Sequence, residues 1–145
     1  MHKLINQRTT LRTEIRTTRN ELTEYLHMAY GIQYGVFIRA YADVKKAVLF
    51  LDYVRNGTDV SPKVGYSITD QEYELYFKDP ETGVLAIETL FNNGMEAGAK
   101  YYDTDSQLRN LYDNLVELNL KDSAIKCRIN SSYGNYLHQT PLYSG

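Results

Sequence analysis

From His2 to Tyr30 the chain runs without a proline or a glycine, and its apolar residues fall at Leu4, Leu11, Ile15, Leu22 and Leu26. Steps of seven and four place those side chains on one face of a helix. A segment this long, uninterrupted and one-sided has to bury that face against something. The same segment carries Arg8, Arg12, Arg16 and Arg19 at steps of four, four and three, which form a second, narrow stripe. Its six threonines lower helix propensity, so the helix is expected to depend on packing. Gly31 and Gly35 interrupt the pattern, and a second helix is expected over about 35–56, with Phe37, Tyr41, Val44, Val48 and Leu51 on one side. Asn56-Gly57 then supplies a left-handed stop.

Between these helices and the C-terminal region the composition changes. The segment from Val64 to Phe77 is rich in Tyr, Ile and Val, with Tyr73, Leu75 and Phe77 alternating with polar neighbours. Lys78-Asp79-Pro80-Glu81-Thr82-Gly83 has turn chemistry, and Val84-Leu85-Ala86-Ile87 comes directly after it. Together they predict a β-hairpin. A short helix broken by Gly94 and Gly98 is expected over Glu88 to Lys100. Leu108, Leu111, Leu115 and Leu118 predict a helix from Ser106 to Leu118, and a last one runs from about Lys121 to Tyr133, stopping at Gly134. The expected class is mainly α (α+β): one domain over 1–145, with helices at 1–30, 35–56 and 106–134. A hairpin-containing insertion over 57–105 and a tail over 135–145 complete it. The tail, with Tyr136, Leu137, Leu142 and Tyr143, is too apolar to stay free.

The formal charge of -2 conceals a partition. Residues 1–20 hold five cations against Glu14 alone, and residues 56–106 hold three lysines against ten acids. A basic coat over the whole chain is excluded, whereas a local basic face is not. The single Cys127 excludes an intramolecular disulfide and a cysteine-rich zinc site. Ala47 to Leu51, the longest apolar run, is far too short to span a membrane, and no signal peptide opens the chain, so a cytoplasmic location is expected. His2, His27 and His138 lack metal-ligand spacing. Fourteen tyrosines and no tryptophan favour amphipathic surfaces.

The chemistry concentrates in Ala124-Ile125-Lys126-Cys127-Arg128-Ile129-Asn130-Ser131-Ser132-Tyr133-Gly134. Lys126, Asn130 and Tyr133 project from one helix face, a cation, an amide and a ring suited to a phosphorylated, ring-bearing ligand. Lys-x-x-x-Asn-Ser-x-Tyr-Gly resembles the fingers-helix motif of family B DNA polymerases. The resemblance implies that Lys126 binds the triphosphate of an incoming deoxynucleoside triphosphate, that Asn130 supports it, and that Tyr133 and Gly134 lie at the nascent base pair. Asn6-Gln7-Arg8 followed by Arg12 is similar to a second fingers element, seen especially in phage replicative members, whose two cations also grip the triphosphate. It assigns nothing to Arg16 and Arg19.

The palm aspartates that hold two metal ions are expected outside this chain, before Arg8 and after Gly134. The resemblance therefore implies long antiparallel helices at the two ends of the chain and a fingers subunit or fragment of a nucleotidyltransferase, inactive alone. Its partners would be palm, exonuclease and thumb fragments, with primer-template DNA and Mg2+ in the assembled enzyme. Tyr102-Asp103-Thr104-Asp105-Ser106 imitates a palm metal motif but stands in the wrong order and opens a leucine-periodic helix, so Asp103 and Asp105 are read as capping residues. The alternative is a non-enzymatic viral structural or interaction protein with a basic, phosphate-binding helix.

Overall fold

The computed structural model describes residues 2–57 and 68–139, with side chains given as far as residue 131. It divides into two compact units, Met1–Tyr30 with Ser106–Gly145, and Gly31–Asp105.

The first unit is a helical hairpin. Helix α1 spans His2–Tyr30, and a second helix, Ser106–Gln139, packs along it in antiparallel sense. Ile15, Leu22 and Leu26 from α1 and Leu108, Leu115 and Leu118 from its partner are buried. The threonines do not break α1, because Thr9, Thr10, Thr13 and Thr23 donate their hydroxyls to the carbonyls four residues earlier, at 2.7–3.1 Å. That bond offers the hydroxyl a partner inside the helix. Gly31, at φ 66°, ends α1 in the left-handed conformation that a side chain disfavours.

The Gly31–Asp105 unit is built on α2, Tyr34–Asn56, which Gly57 closes at φ 67° by donating its N–H to the Tyr53 carbonyl. A single turn, α3 (Asp70–Glu72), runs into a π-helical turn over Tyr73–Phe77. Helix α4 covers Pro80–Gly94, a second π-helical turn covers Met95–Ala99, and α5 covers Lys100–Thr104. The long C-terminal helix of the first unit is then α6.

No strand occurs among the described residues, and the class is all-α. The predicted β-hairpin is therefore wrong where it can be seen; residues 64–67 of its first strand lie outside the described residues. Thr69-Asp70-Gln71-Glu72 is a reciprocal capping box that starts a helix. Asp79-Pro80 is an N-cap followed by proline at the first helical position, not a turn, and Asp79 accepts from the Glu81 N–H and the Thr82 hydroxyl. The alternation was misleading: Tyr73 and Leu75 are more than half exposed, while the neighbours Tyr76 and Phe77 pack on the core.

Two further expectations are corrected. Residues 106–139 form one helix, since nothing between Leu118 and Lys121 can break it, and the helix continues through Gly134. Helix α4 likewise runs to Gly94 unbroken, and the departure falls at Gly98, at φ 139° inside the second π turn. The tail from 140 onward lies outside the described residues.

The core of this unit gathers Ala47, Phe50 and Ile87, flanked by Leu51, Tyr76, Phe77, Leu90 and Phe91. Two glycines set how closely it closes. A Cβ on Gly83 would fall on the Tyr76 carbonyl, and one on Gly94 would lie 2.7 Å from Val44 Cγ2 and 2.8 Å from the Ala40 carbonyl oxygen. Alanine in an open helix gains up to about 1 kcal/mol over glycine. At Gly94 the clash reverses that sign, and Gly94→Ala is expected to destabilise the protein by about 1–3 kcal/mol in urea denaturation.

A partly buried ion pair joins α2 to α3. Lys46 Nζ lies 2.6 Å from Glu72 Oε2, which has no hydrogen-bond partner of good geometry and is compensated by that charge. Burial alone pushes the Glu72 carboxyl up, but the Lys46 ammonium and the Thr69 hydrogen bonds together hold it below the ordinary range. The Lys46 ammonium is held above its own range, chiefly by the Glu72 carboxylate beside it and against the effect of burial. A depressed carboxyl stabilises the fold above its unfolded pKa and loses that contribution as pH falls through the folded value. The stability difference between the native protein and Glu72→Gln is thus expected at pH 7 and should shrink below about pH 4. Denaturation at stepped pH values measures it.

Candidate functional site

Antiparallel packing of α1 on α6 gives the hairpin two sides, and its polar residues are sorted between them. On one side Arg12, Ile15, Arg16, Arg19, Asn119 and Asp122 line a shallow polar groove of about 200 Å3. Arg8 lies on this side too, and its Nε donates to Asp122 Oδ1 at 3.2 Å, both side chains being partly buried. Along α6, Lys126 and Asn130 come after Asp122 at steps of four, so they continue the same face; both are exposed. Arg12, Arg16, Arg19 and Lys126 form no ion pair among the described residues.

The four expected triphosphate-binding residues thus share a side and are strung along it rather than gathered at a point. Asn119, level with the arginines, and Asn130 are separated by about 16 Å along the α6 axis. Arg8 stands between Arg12 and Lys126 by its contact with Asp122. The side chain of Tyr133 and the surroundings of Gly134 are outside what the structure describes; the backbone of both belongs to α6.

The other side of the hairpin differs. Lys3, Asn6, Gln7, Leu11, Ala124 and Ile125 are among the residues that line an open, mostly apolar groove of about 880 Å3. Consecutive helix positions turn by about 100°, so the Asn6-Gln7-Arg8 element is divided, the amides to one side and the guanidinium to the other. The sequence motifs include neither Asp122 nor Asn119, nor this apolar groove. Asp122 carries a local signal, one turn ahead of Lys126 on its face, but nothing local joins it to Arg8, 114 residues earlier.

The remaining candidates stay apart. Cys127 is exposed, and Lys126 and Arg128 point away from it. Asp103 is exposed in α5 and edges a groove lined by Tyr41, Lys45 and Tyr102, while Asp105 is half-buried just beyond that helix. Among the described residues no three His, Cys, Asp or Glu side chains gather where they could hold a metal ion. No helix there is long and apolar enough to cross a membrane. Compared with known proteins, the chain matches no family model, no curated protein and no solved structure.

Proposed function

We propose that the α1–α6 hairpin is the nucleotide-gripping fingers element of a family B-like DNA polymerase, acting with partner polypeptides that carry the palm. One observation carries the reading. The Arg8–Asp122 pair sets the Asn6–Arg12 segment beside the helix that bears Lys126 and Asn130, across 114 residues of sequence. Motif spacing within either segment does not require that neighbourhood.

In this reading the incoming triphosphate lies along the basic side. An arginine has five N–H donors, so Arg8 can keep Nε on Asp122 and present its terminal nitrogens to phosphate oxygens. Asp122 then acts as a positioning residue that aims the guanidinium. Arg12 and Lys126 add charge on either side of it, and Asn130 offers an amide. Positive groups held here neutralise the triphosphate and the leaving pyrophosphate, an electrostatic contribution that needs no proton transfer. Mg2+, held by palm carboxylates of a partner, supplies the metal-ion chemistry of phosphoryl transfer. The described residues of this chain offer no ligand set for it.

Lys126→Ala is expected to lower nucleotide incorporation by about 10- to 100-fold in enzyme reconstituted with a palm-bearing partner, the loss of one charge-assisted contact of about 1.5–3 kcal/mol. Steady-state primer extension measures it. Full activity of Lys126→Ala, or activity of this chain alone, overturns the reading.

A further inference from the structure

The grip on a triphosphate does not employ Arg16 and Arg19, although they lie in the same groove as Arg12 and Asn119. Charge on the hairpin is segregated by side. The acids of α1 all face away from this groove: Glu14 lines a groove with Thr13 and Asn114, and Glu21 and Glu24 line another with Met28 and Gln107. Among the described residues, Asp122 is the one carboxylate that lines this groove, and it is paired with Arg8. Arg12, Arg16 and Arg19 therefore present three uncompensated charges in a row, with an amide across from them.

Their spacing suits a linear polyanion. Seven residues of helix from Arg12 to Arg19 rise about 10 Å, and one strand of a duplex advances about 3.4 Å per phosphate along its axis, so the row of three guanidinium groups spans about three phosphate-to-phosphate steps. A triphosphate gripped at Arg8, Arg12 and Lys126 does not need Arg16 and Arg19. A phosphate backbone carries a charge at every step along such a row, and a lipid headgroup layer is a plane rather than a row.

We propose that Arg12, Arg16 and Arg19, with Asn119, form a track for the phosphate backbone of a nucleic-acid strand. The assignment does not rest on the polymerase reading. The contacts go to phosphate, so binding is sequence-independent and strongly dependent on salt.

The test is fluorescence anisotropy of the full chain with a labelled 12-nucleotide oligothymidylate between 50 and 200 mM salt. Three phosphate contacts give a slope of about -2 in log K against log salt for a single strand. The double variant Arg16→Gln/Arg19→Gln should reduce the slope to about -0.7 and weaken binding about tenfold or more at 100 mM. Arg16→Lys/Arg19→Lys should keep the slope, and Glu21→Gln/Glu24→Gln, on the opposite side, should change affinity less than twofold. Circular dichroism melting of each variant verifies the fold. Unchanged affinity and slope in the glutamine double variant overturns the track. So does equally tight, arginine-dependent binding of phosphatidylserine vesicles or polyglutamate. Lys126→Ala, which removes a nucleotide contact, leaves the contribution of Arg16 and Arg19 to the slope intact, so the two readings fail separately.

Discussion

Phe50→Ala is expected to lower the free energy of unfolding by about 3–5 kcal/mol. Phe50 is 2% exposed and sits where three elements of the Gly31–Asp105 unit meet. Its ring lies 5.3 Å from Tyr76 and 5.0 Å from Phe77, the latter edge-on, while the Lys46 ammonium stands 5.6 Å above it. Truncation loses the transfer free energy of the ring, leaves a cavity, and removes two aromatic pairs worth about 0.5–1.5 kcal/mol each. The walls are poorly placed to collapse. Tyr76 and Phe77 belong to a π-helical turn, and the Tyr76 carbonyl already abuts Gly83. Phe50→Leu, which keeps most of the volume, should cost less than about 1.5 kcal/mol. Urea denaturation followed by circular dichroism measures both, and a loss below about 1.5 kcal/mol for the alanine variant contradicts this picture of the core.

Leu22→Ala should cost about 2–5 kcal/mol in the helical hairpin. Leu22 is fully buried toward the C-terminal end of α1, between the buried residues Thr18 and Leu26. This helix has weak grounds for standing alone, because its threonines and the repulsion within its arginine stripe both disfavour it. What holds it is the apolar seam with α6. Loss of a fully buried side chain in a two-layer seam is shared by both helices. Leu22→Met should cost less than about 1.5 kcal/mol. The change is read as a fall in the urea midpoint with an unchanged slope. A variant as stable as the parent would mean that α1 stands by other means.

The ends of α1 and α2 were legible because the signals are local. Gly31 and Gly57 adopt the left-handed backbone that their sequence positions suggest, and the leucine spacing marks the buried faces. The β-hairpin was misread because a short run such as Tyr73–Phe77 fits either period, and the residues C-terminal to it make the choice. Asp79-Pro80 serves a turn or a helix start equally well. Ile87, Leu90 and Phe91 at helical spacing, with Gly83 and Gly94 on the same face, decide it. The two glycines look like breakers in sequence, and only the approach of the Tyr76 and Ala40 carbonyls gives their reason.

In the candidate site, the arginine stripe is a property of one helix and could be read directly. The face of α6 that meets it depends on an antiparallel register fixed by the seam. The Arg8–Asp122 contact is therefore a product of tertiary packing. The same register explains why the expected ligand set is drawn out into a row.

Helix α6 is a single piece from Ser106 to Gln139, about 51 Å of unbroken backbone. A rod of that length magnifies angle into distance. Pivoting by about 5° at the Ser106 end carries Lys126 through roughly 2.6 Å and Gln139 through roughly 4 Å, each with no change in its own dihedral angles. A lysine shifted by that amount passes from contact with a phosphate oxygen to separation from it. Under the proposed reading, an unbroken α6 would tie the reach of Lys126 toward an anion to the packing of the helix start, about 30 Å away along the axis.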